Sequence, residues 1–207
     1  MPQLQPMLAV ASAPFDGAEY CFEIKWDGIR ALAAVDESGW RLWGRDGADY
    51  TRRYPELEVV RRWPQGTLVD GELVCLRRGL PDLAGLLQRH FLAAAWKVAQ
   101  ARQWCPVHYV VFDLLYLRGR CLLREPWACR RDLLAELCAE TAVPGLLWSA
   151  GVVGAGRAFY EAVVATGHEG VMAKALRATY CPGRRCPTWR KIKPRANGAG
   201  RRPRPAR

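Results

Sequence analysis

The hydrophobic pattern of the chain is clearest just before a charged segment near its start. Tyr20, Phe22 and Ile24 alternate with other residues, which is the period of a β-strand with one face in a core. The strand runs into E-I-K-W-D-G-I-R at 23–30, where a lysine stands between two carboxylates and a glycine follows. Comparable stretches predict strands at 19–25, 29–35, 40–44, 67–76, 108–116, 170–175 and 189–193.

Helical spacing of apolar residues predicts four helices, at 55–62, 82–102, 126–140 and 156–166. Pro126 suits the start of the third helix, because proline is tolerated in a first helical turn. The strands within 19–35 and at 67–76 are expected to pair antiparallel across short turns. The pattern therefore predicts one mixed α and β domain over 1–194, with no internal repeat and no interdomain linker.

Charge and composition narrow the possible partners. The chain has 207 residues, half of them apolar, and a net charge of +11, which favours a polyanion such as nucleic acid. Of 31 basic residues only five are lysine, at 25, 97, 174, 191 and 193. Lysine in so arginine-rich a chain indicates places that need a compact amine able to lose its proton. Only Lys97 lies in an ordinary helical stretch.

The end of the chain differs in kind from the rest. The sequence P-R-A-N-G-A-G-R-R-P-R-P-A-R has five arginines, no acid and no apolar period. It predicts a disordered basic tail at 195–207, which is expected to hold a phosphate backbone loosely.

Targeting signals and cysteine usage indicate the cellular compartment. No run of about 18 apolar residues suggests a membrane span, and the start lacks a secretory pattern, so we expect a cytoplasmic, nucleoid-associated protein without membrane contact. The eight cysteines form no C-x-x-C pair and are expected to be reduced thiols. Cys105 with His108, and Cys181 with Cys186, each look like half of a metal site whose second half is missing.

Polar residues recur on strands that are otherwise apolar. Asp70 and Glu72 share parity on one strand, and Asp113 interrupts a run apolar enough for burial on both faces. A single carboxylate at a strand end is usually solvated, but here acids and lysines recur on several strands. The whole set comprises Glu23, Lys25, Asp27, Asp70, Glu72, Phe112, Asp113, Glu169, Lys174, Lys191 and Lys193.

This set resembles the nucleotidyltransferase superfamily of ATP-dependent DNA ligases and capping enzymes. K-W-D-G-I-R resembles the K-x-D-G-x-R motif, and W-G-R-D-G-A-D-Y-T, D-G-E-L-V, V-V-F-D-L-L-Y-L, E-G-V-M-A-K and W-R-K-I-K-P resemble the motifs that follow it. The match runs from about residue 5 to 194. T-Y-C-P-G-R-R-C-P-T-W-R-K-I-K is especially similar to the bacterial end-joining type, ligase D.

The resemblance implies an α+β, ATP-grasp-like fold with two antiparallel-rich sheets flanking a nucleotide cleft. It also implies that Lys25 attacks the α-phosphate of ATP, forms lysyl–AMP and passes AMP to a 5′-phosphate at a DNA nick, which is then sealed in repair and recombination. A lysine with an ordinary pKa near about 10.4 is protonated at neutral pH. Lys191 and Lys193, with a divalent metal, are expected to disfavour that charged form and to neutralise the α-phosphate. Asp27 is expected to orient the lysine or the metal.

The resemblance assigns the other roles position by position. Glu72 resembles the residue that binds the ribose hydroxyls, and Phe112 the ring that stacks on adenine. Arg30 and Arg45 resemble holders of the ribose and of the 5′-phosphate at a nick, because the arginine fork binds two oxygens at once. The remaining nucleotide-binding residues are Glu23, Ile24 and Lys174, and the expected ligands of Mg²⁺ are Asp27, Glu72 and Glu169.

Two departures from the family pattern leave alternatives open. Gly44 stands where relatives often have serine. After W-R-K-I-K-P too few residues follow for the OB-fold domain that carries a sixth basic motif. We therefore expect nicked double-stranded DNA as substrate, and an OB-fold domain or other end-joining proteins acting in trans. The alternatives are an RNA ligase or capping-type enzyme, and a remnant that binds nucleotide or nicked DNA with little activity.

Overall fold

The computed structural model describes residues 1–142 and 144–194, and the predicted basic tail lies outside these residues. The described strands are β1 (Leu8–Ala11), β2 (Gly17–Ile24), β3 (Ile29–Asp36), β4 (Gly39–Gly44), β5 (Thr67–Arg77), β6 (Leu80–Pro81), β7 (Val107–Leu117), β8 (Arg120–Cys121), β9 (Leu146–Trp148), β10 (Gly151–Gly154), β11 (Val171–Ala175) and β12 (Arg185–Ile192). The α-helices are α1 (Leu83–His90), α2 (Ala95–Trp104), α3 (Trp127–Thr141) and α4 (Gly156–Ala165). Two 3₁₀ helices cover Thr51–Arg53 and Pro55–Arg62.

The strands form two sheets. The first sheet has the order β1-β12-β11-β2-β10, and only its β1–β12 pair is parallel. The second sheet has the order β4-β3-β5-β7-β8, with β6 beside β5 and β9 parallel to β7. The predicted pair of antiparallel-rich sheets is confirmed.

The connection between β2 and β3 differs from the expected hairpin. β2 pairs with β10 and β11, whereas β3 pairs with β4 and β5, so residues 25–28 cross from one sheet to the other. Alternating apolar residues and a short turn predict two strands but do not specify which strand pairs with which. Here β2 and β3 belong to different sheets. The antiparallel pairing of the strand at 67–76 is confirmed by its partners β3 and β7.

Two helix predictions also need correction. The segment predicted as one helix at 82–102 forms α1 and α2, with Phe91 at the break and three-quarters exposed. Asp82 caps α1 by accepting a hydrogen bond from the Gly85 amide at 3.0 Å. The segment at 55–62 is helical as predicted but is a 3₁₀ helix, because Pro55 starts it and Leu57 and Val60, three residues apart, pack into the core.

Three buried clusters hold the layers together. One lies under the second sheet and includes Leu134 and Leu137 of α3. A second lies between the sheets, where Trp189 of the first sheet meets Phe112 of the second. The third packs Val163 of α4 against the outer face of the first sheet. No helix in 1–142 or 144–194 combines the length and apolar character that a membrane crossing requires.

A buried ion pair fastens α3 to the second sheet. The Arg130 side chain donates two hydrogen bonds to the Asp113 carboxylate, at 2.7 and 2.8 Å, and neither side chain is exposed. Arg130 also donates to the carbonyl oxygens of Glu125 at 2.6 Å and Ala178 at 3.0 Å. The guanidinium thereby joins the strand, the start of α3 and the loop after β11.

Candidate active site

A cleft opens between the two sheets, and most of the predicted site residues line it. Both sheets contribute walls, because β1, β2, β11 and β12 supply one side while β3, β5 and β7 supply the other. The predicted residues in its lining are Glu23, Ile24, Lys25, Arg30, Arg45, Glu72, Phe112, Lys174 and Lys191. The other three predicted residues, Asp27, Glu169 and Lys193, lie beside Lys25, as their mutual contacts and charge effects indicate.

Lys25 lies just past the end of β2, on the crossover between the sheets. Its amide donates to the Gly170 carbonyl oxygen at 2.9 Å, and its ammonium group pairs with Glu169. Lys193 pairs with the other oxygen of the same carboxylate. Burial alone would raise the pKa of Glu169, but the hydrogen bonds from Lys193 and Lys25 outweigh that effect and lower it. The structure thus brings together three charged groups from distant parts of the sequence.

The turn after Lys25 lies against the neighbouring strand. A Cβ atom added to Gly28 would lie 2.1 Å from the Leu73 carbonyl oxygen and 3.0 Å from Cγ of Glu72, so only glycine permits this approach. Glu72 is partly buried beside Arg30, and burial raises the pKa of its carboxyl group from 4.5 to about 7. The positive charges of Arg30 and Lys25 oppose that rise but do not cancel it.

This shift predicts a pH-dependent stability. A carboxyl group with a raised folded-state pKa binds its proton more tightly when folded, so its contribution falls as pH rises from about 4.5 to about 7. Glu72→Gln should therefore lose less stability than the wild type between pH 5 and pH 7. Urea unfolding at several pH values measures this, with Glu58→Gln on the surface as control. Parallel pH profiles for wild type and Glu72→Gln would contradict it.

The Arg30 side chain is held in place by a buried carboxylate. Its Nε and Nη2 atoms each lie 2.6 Å from an oxygen of Asp70, which is fully buried. The Tyr180 hydroxyl donates to the same carboxylate at 2.6 Å. Arg30 also lies over the Phe112 ring, 4.6 Å from its centroid. The guanidinium is thus held by the protein's own side chains, and Tyr180 is a supporting residue that no sequence motif indicated.

Lys174 lines the cleft, but its side chain is almost fully buried and its ammonium group is held by other residues. Its Nζ atom lies 2.7 Å from Glu23 Oε2 and donates to the Phe112 carbonyl oxygen at 3.1 Å. The rings of Phe112 and Trp189 surround it, with centroids at 4.3 and 4.6 Å. Burial raises the pKa of Glu23, although Lys174 opposes the shift. The buried Oε1 atom of Glu23 has no hydrogen-bond partner among the described residues.

Asp27 and Glu169 are two of the predicted metal ligands. Burial, and then the negative charge of Glu169, raise the pKa of Asp27. Two carboxylates that repel each other beside an anion site suit a divalent cation, and Mg²⁺ usually takes one or two carboxylates together with phosphate oxygens. Within the described part of the chain, no group of three or more His, Cys, Asp or Glu side chains is arranged to hold a metal. The metal site of Asp27, Glu72 and Glu169 stays a prediction.

Arg45 is exposed at one end of the cleft and has no ion pair with any described residue. The preceding residue, Gly44, has a steric explanation, because a Cβ atom there would lie 2.1 Å from the Tyr50 hydroxyl oxygen. Burial raises the pKa of Tyr50, and the negative charge of Asp46 adds to the effect. The hydroxyl of Tyr50 thus fills the space that a serine at position 44 would need.

Two antiparallel-rich sheets flank a cleft in which Lys25 lies among acids, arginines and the pair Lys191 and Lys193. This arrangement is that of nucleotidyltransferase domains. The family described as the ATP dependent DNA ligase domain matches residues 6–193. The chain belongs to this family.

Several relatives are similar over nearly the whole chain. A probable DNA ligase of Anaeromyxobacter sp. is 38% identical over 92% of this chain and 38% of its own length. The multifunctional non-homologous end joining DNA repair protein LigD of Mycobacterium tuberculosis is 36% identical over 92% of this chain and 24% of its own length. The structure of mycobacterial DNA ligase D complexed with ATP and MES aligns with a TM-score of 0.77 at 33% identity, over 92% of this chain and 60% of that one. The chain thus spans well under half the length of these two curated relatives.

Proposed function

We propose that this chain is the catalytic domain of an ATP-dependent DNA ligase of the end-joining type. The observation that supports it most is the position of Lys25, whose ammonium group shares Glu169 with Lys193 beside a cleft formed by both sheets. The relatives are named as DNA ligases and as an end-joining repair protein, and one solved relative holds ATP.

In this proposal the adenine base of ATP enters the cleft beside Phe112. The unpartnered Oε1 atom of Glu23 is an acceptor for the exocyclic amine of adenine, and the aromatic ring of Phe112 supplies a stacking face. Glu72 accepts hydrogen bonds from ribose hydroxyl groups, and Arg30, fixed by Asp70, donates to the sugar. Each of these groups is in place before the nucleotide binds, which reduces the entropy lost on binding.

Lys25 then acts as the nucleophile. Its nitrogen must give up a proton and its contact with Glu169 before its lone pair can attack the α-phosphorus. The bond from phosphorus to the bridging oxygen breaks, pyrophosphate leaves, and AMP stays on the lysine. Lys191 lines the same cleft, and its charge offsets the negative charge that develops on the phosphoryl oxygens.

Magnesium is the divalent cation that we propose for this site. Asp27 and Glu169 would hold it, and when bound it supplies positive charge to the phosphate oxygens and competes with the lysines for the Glu169 carboxylate. The two closely placed carboxylates fit such an ion, as their repulsion indicates.

The acceptor that we propose is a 5′-phosphate at a nick in duplex DNA. The net charge of +11 and the exposed Arg45, which forms no ion pair within residues 1–142 and 144–194, suit a phosphate backbone. We further propose that an OB-fold domain, on the same polypeptide or another, completes the grip on DNA, together with other end-joining proteins.

Arg45 carries a quantitative prediction for DNA binding. If its guanidinium neutralises one phosphate, Arg45→Ala should reduce the slope of log affinity against log salt by about 0.9. Fluorescence anisotropy with a nicked duplex at several salt concentrations measures the slope. Arg61→Ala is the matched control, because Arg61 is exposed but already paired with Glu58 at 2.8 Å. An unchanged slope for Arg45→Ala would remove Arg45 from the DNA contact.

The direct test is transfer of label from ATP to protein. The chain is incubated with ATP labelled at the α-phosphate and with Mg²⁺, then separated on a denaturing gel. We expect labelled protein whose label is lost in acid, as a phosphoramidate requires, and is lost on addition of pyrophosphate. Label from the γ-phosphate instead would indicate a different reaction and would overturn the proposal.

A further inference from the structure

A tight turn brings two cysteines together at the entry to β12. Residues 181–184 form a β-turn in which the Arg184 amide donates to the Cys181 carbonyl oxygen at 3.2 Å. Pro182 and Gly183 occupy its central positions, and Gly183 has a φ of +68°, as a type II turn requires. The chain then enters β12, whose second residue is Cys186.

The turn brings the two thiols close to each other. Burial raises the pKa of the Cys186 thiol, and the neighbouring Cys181 side chain adds to the rise. Both cysteines are partly exposed, whereas Cys75 and Cys105, which also contact each other, are almost fully buried. The pair at 181 and 186 is therefore the adjacent pair that solvent can reach.

Hydrogen bonds to the start of the chain hold the turn that carries this pair. The turn is held by β1 and the residues before it, because Leu8 donates to the Arg184 carbonyl oxygen at 2.9 Å and Gly183 donates to the Gln5 carbonyl oxygen at 3.0 Å. Arg184 and Arg185, both exposed, stand between the two cysteines. The positive charge of Arg184 opposes the rise in the pKa of the Cys186 thiol but does not cancel it.

We propose that Cys181 and Cys186 are a site of reversible disulfide formation with small-molecule disulfides such as oxidised glutathione. The Cys181 thiolate attacks one sulfur of the oxidant, forms a mixed disulfide and releases one thiol. The Cys186 thiol then loses its proton to solvent and attacks the Cys181 sulfur, which forms the internal bond and releases the second thiol. Two protein thiols are oxidised as one small disulfide is reduced.

The bond would also act on the nucleotide cleft, an effect that rests on the proposed function. Tyr180, directly before Cys181, holds the carboxylate that fixes Arg30. Arg185, directly before Cys186, lines the cleft. Drawing the two sulfur atoms to bonding distance pulls on both neighbours, so oxidation should slow adenylation severalfold, and reduction should restore it.

Peptide mapping tests the bond without reference to ligase activity. The folded chain is treated with oxidised glutathione, free thiols are alkylated, and the protein is digested with trypsin. Because Arg184 and Arg185 lie between the cysteines, trypsin separates them, and an internal disulfide appears as two linked peptides that dithiothreitol releases. Cys181→Ser and Cys186→Ser should each abolish the linked pair, whereas Cys129→Ser, which removes an exposed cysteine, should not.

Two outcomes would overturn the inference. Alkylation of both Cys181 and Cys186 after treatment would show that the pair does not close. Linked peptides that join either cysteine to a different one would show that another pairing is preferred. If the bond forms but the rate of adenylation is unchanged, the coupling to the cleft is wrong, and absence of adenylation in the reduced protein would count against the proposed function alone.

Discussion

Replacing Lys25 with arginine is expected to abolish transfer of AMP to the protein. Arginine keeps the positive charge and can still pair with Glu169, but a guanidinium does not deprotonate to become a nucleophile. Loss of a nucleophile typically costs on the order of 10⁴-fold or more in rate. Single-turnover assays with ATP labelled at the α-phosphate should show no acid-labile label on Lys25→Arg.

The control for this variant is another lysine in the same chain. Lys97 lies on α2, with its side chain exposed and near the Trp96 ring, and Lys97→Arg should adenylate at the wild-type rate. Equilibrium binding of ATP by Lys25→Arg should be largely intact, because the other groups that line the cleft are unchanged. A labelled Lys25→Arg protein would place the nucleophile at a different residue.

Removing the guanidinium of Arg130 is expected to destabilise the fold more than any surface change. Arg130→Met would leave the Asp113 carboxylate buried without its partner, and both side chains are fully buried. Breaking a buried ion pair from one side typically costs about 3–5 kcal/mol. Urea unfolding should show a loss of this size in the free energy of unfolding, close to the whole stability of a marginal domain.

The matched control for Arg130 is another arginine that contacts the same segment. Arg120 pairs with the Glu125 side chain at 2.6 Å but is about two-thirds exposed, so Arg120→Met should cost less than about 1 kcal/mol. The double variant Arg130→Met with Asp113→Leu should recover part of the loss, because no unpaired charge remains. An Arg130→Met protein as stable as Arg120→Met would show that Asp113 is not buried as a carboxylate.

Local pattern was sufficient for most of the elements. Strands such as β3 and β5 can be predicted from the sequence because a buried strand face requires apolar residues at every second position, or at every position where both faces are buried. The short strands β1, β9 and β10 were missed, because three or four residues are too few to show an alternating pattern that differs from a loop. The break between α1 and α2 was missed because no proline or glycine marks it. At the end of α1, His90 packs against Tyr50 and Tyr54, which lie in another part of the chain.

The sequence by itself determined which residues are candidates for the proposed chemistry, because Lys25, Glu72, Glu169, Lys191 and Lys193 are defined by residue type and order. Tertiary structure decided how they are used. Sending β2 and β3 into different sheets placed Lys25 at the crossover, and the buried partners fixed Arg30 on Asp70 and Lys174 on Glu23. Such pairings join residues 40 and 151 positions apart in the chain. The spacing of apolar side chains is a local property that can be read from the sequence. The partner of a buried charge depends instead on the folded interior, where the low dielectric makes an unpaired charge costly.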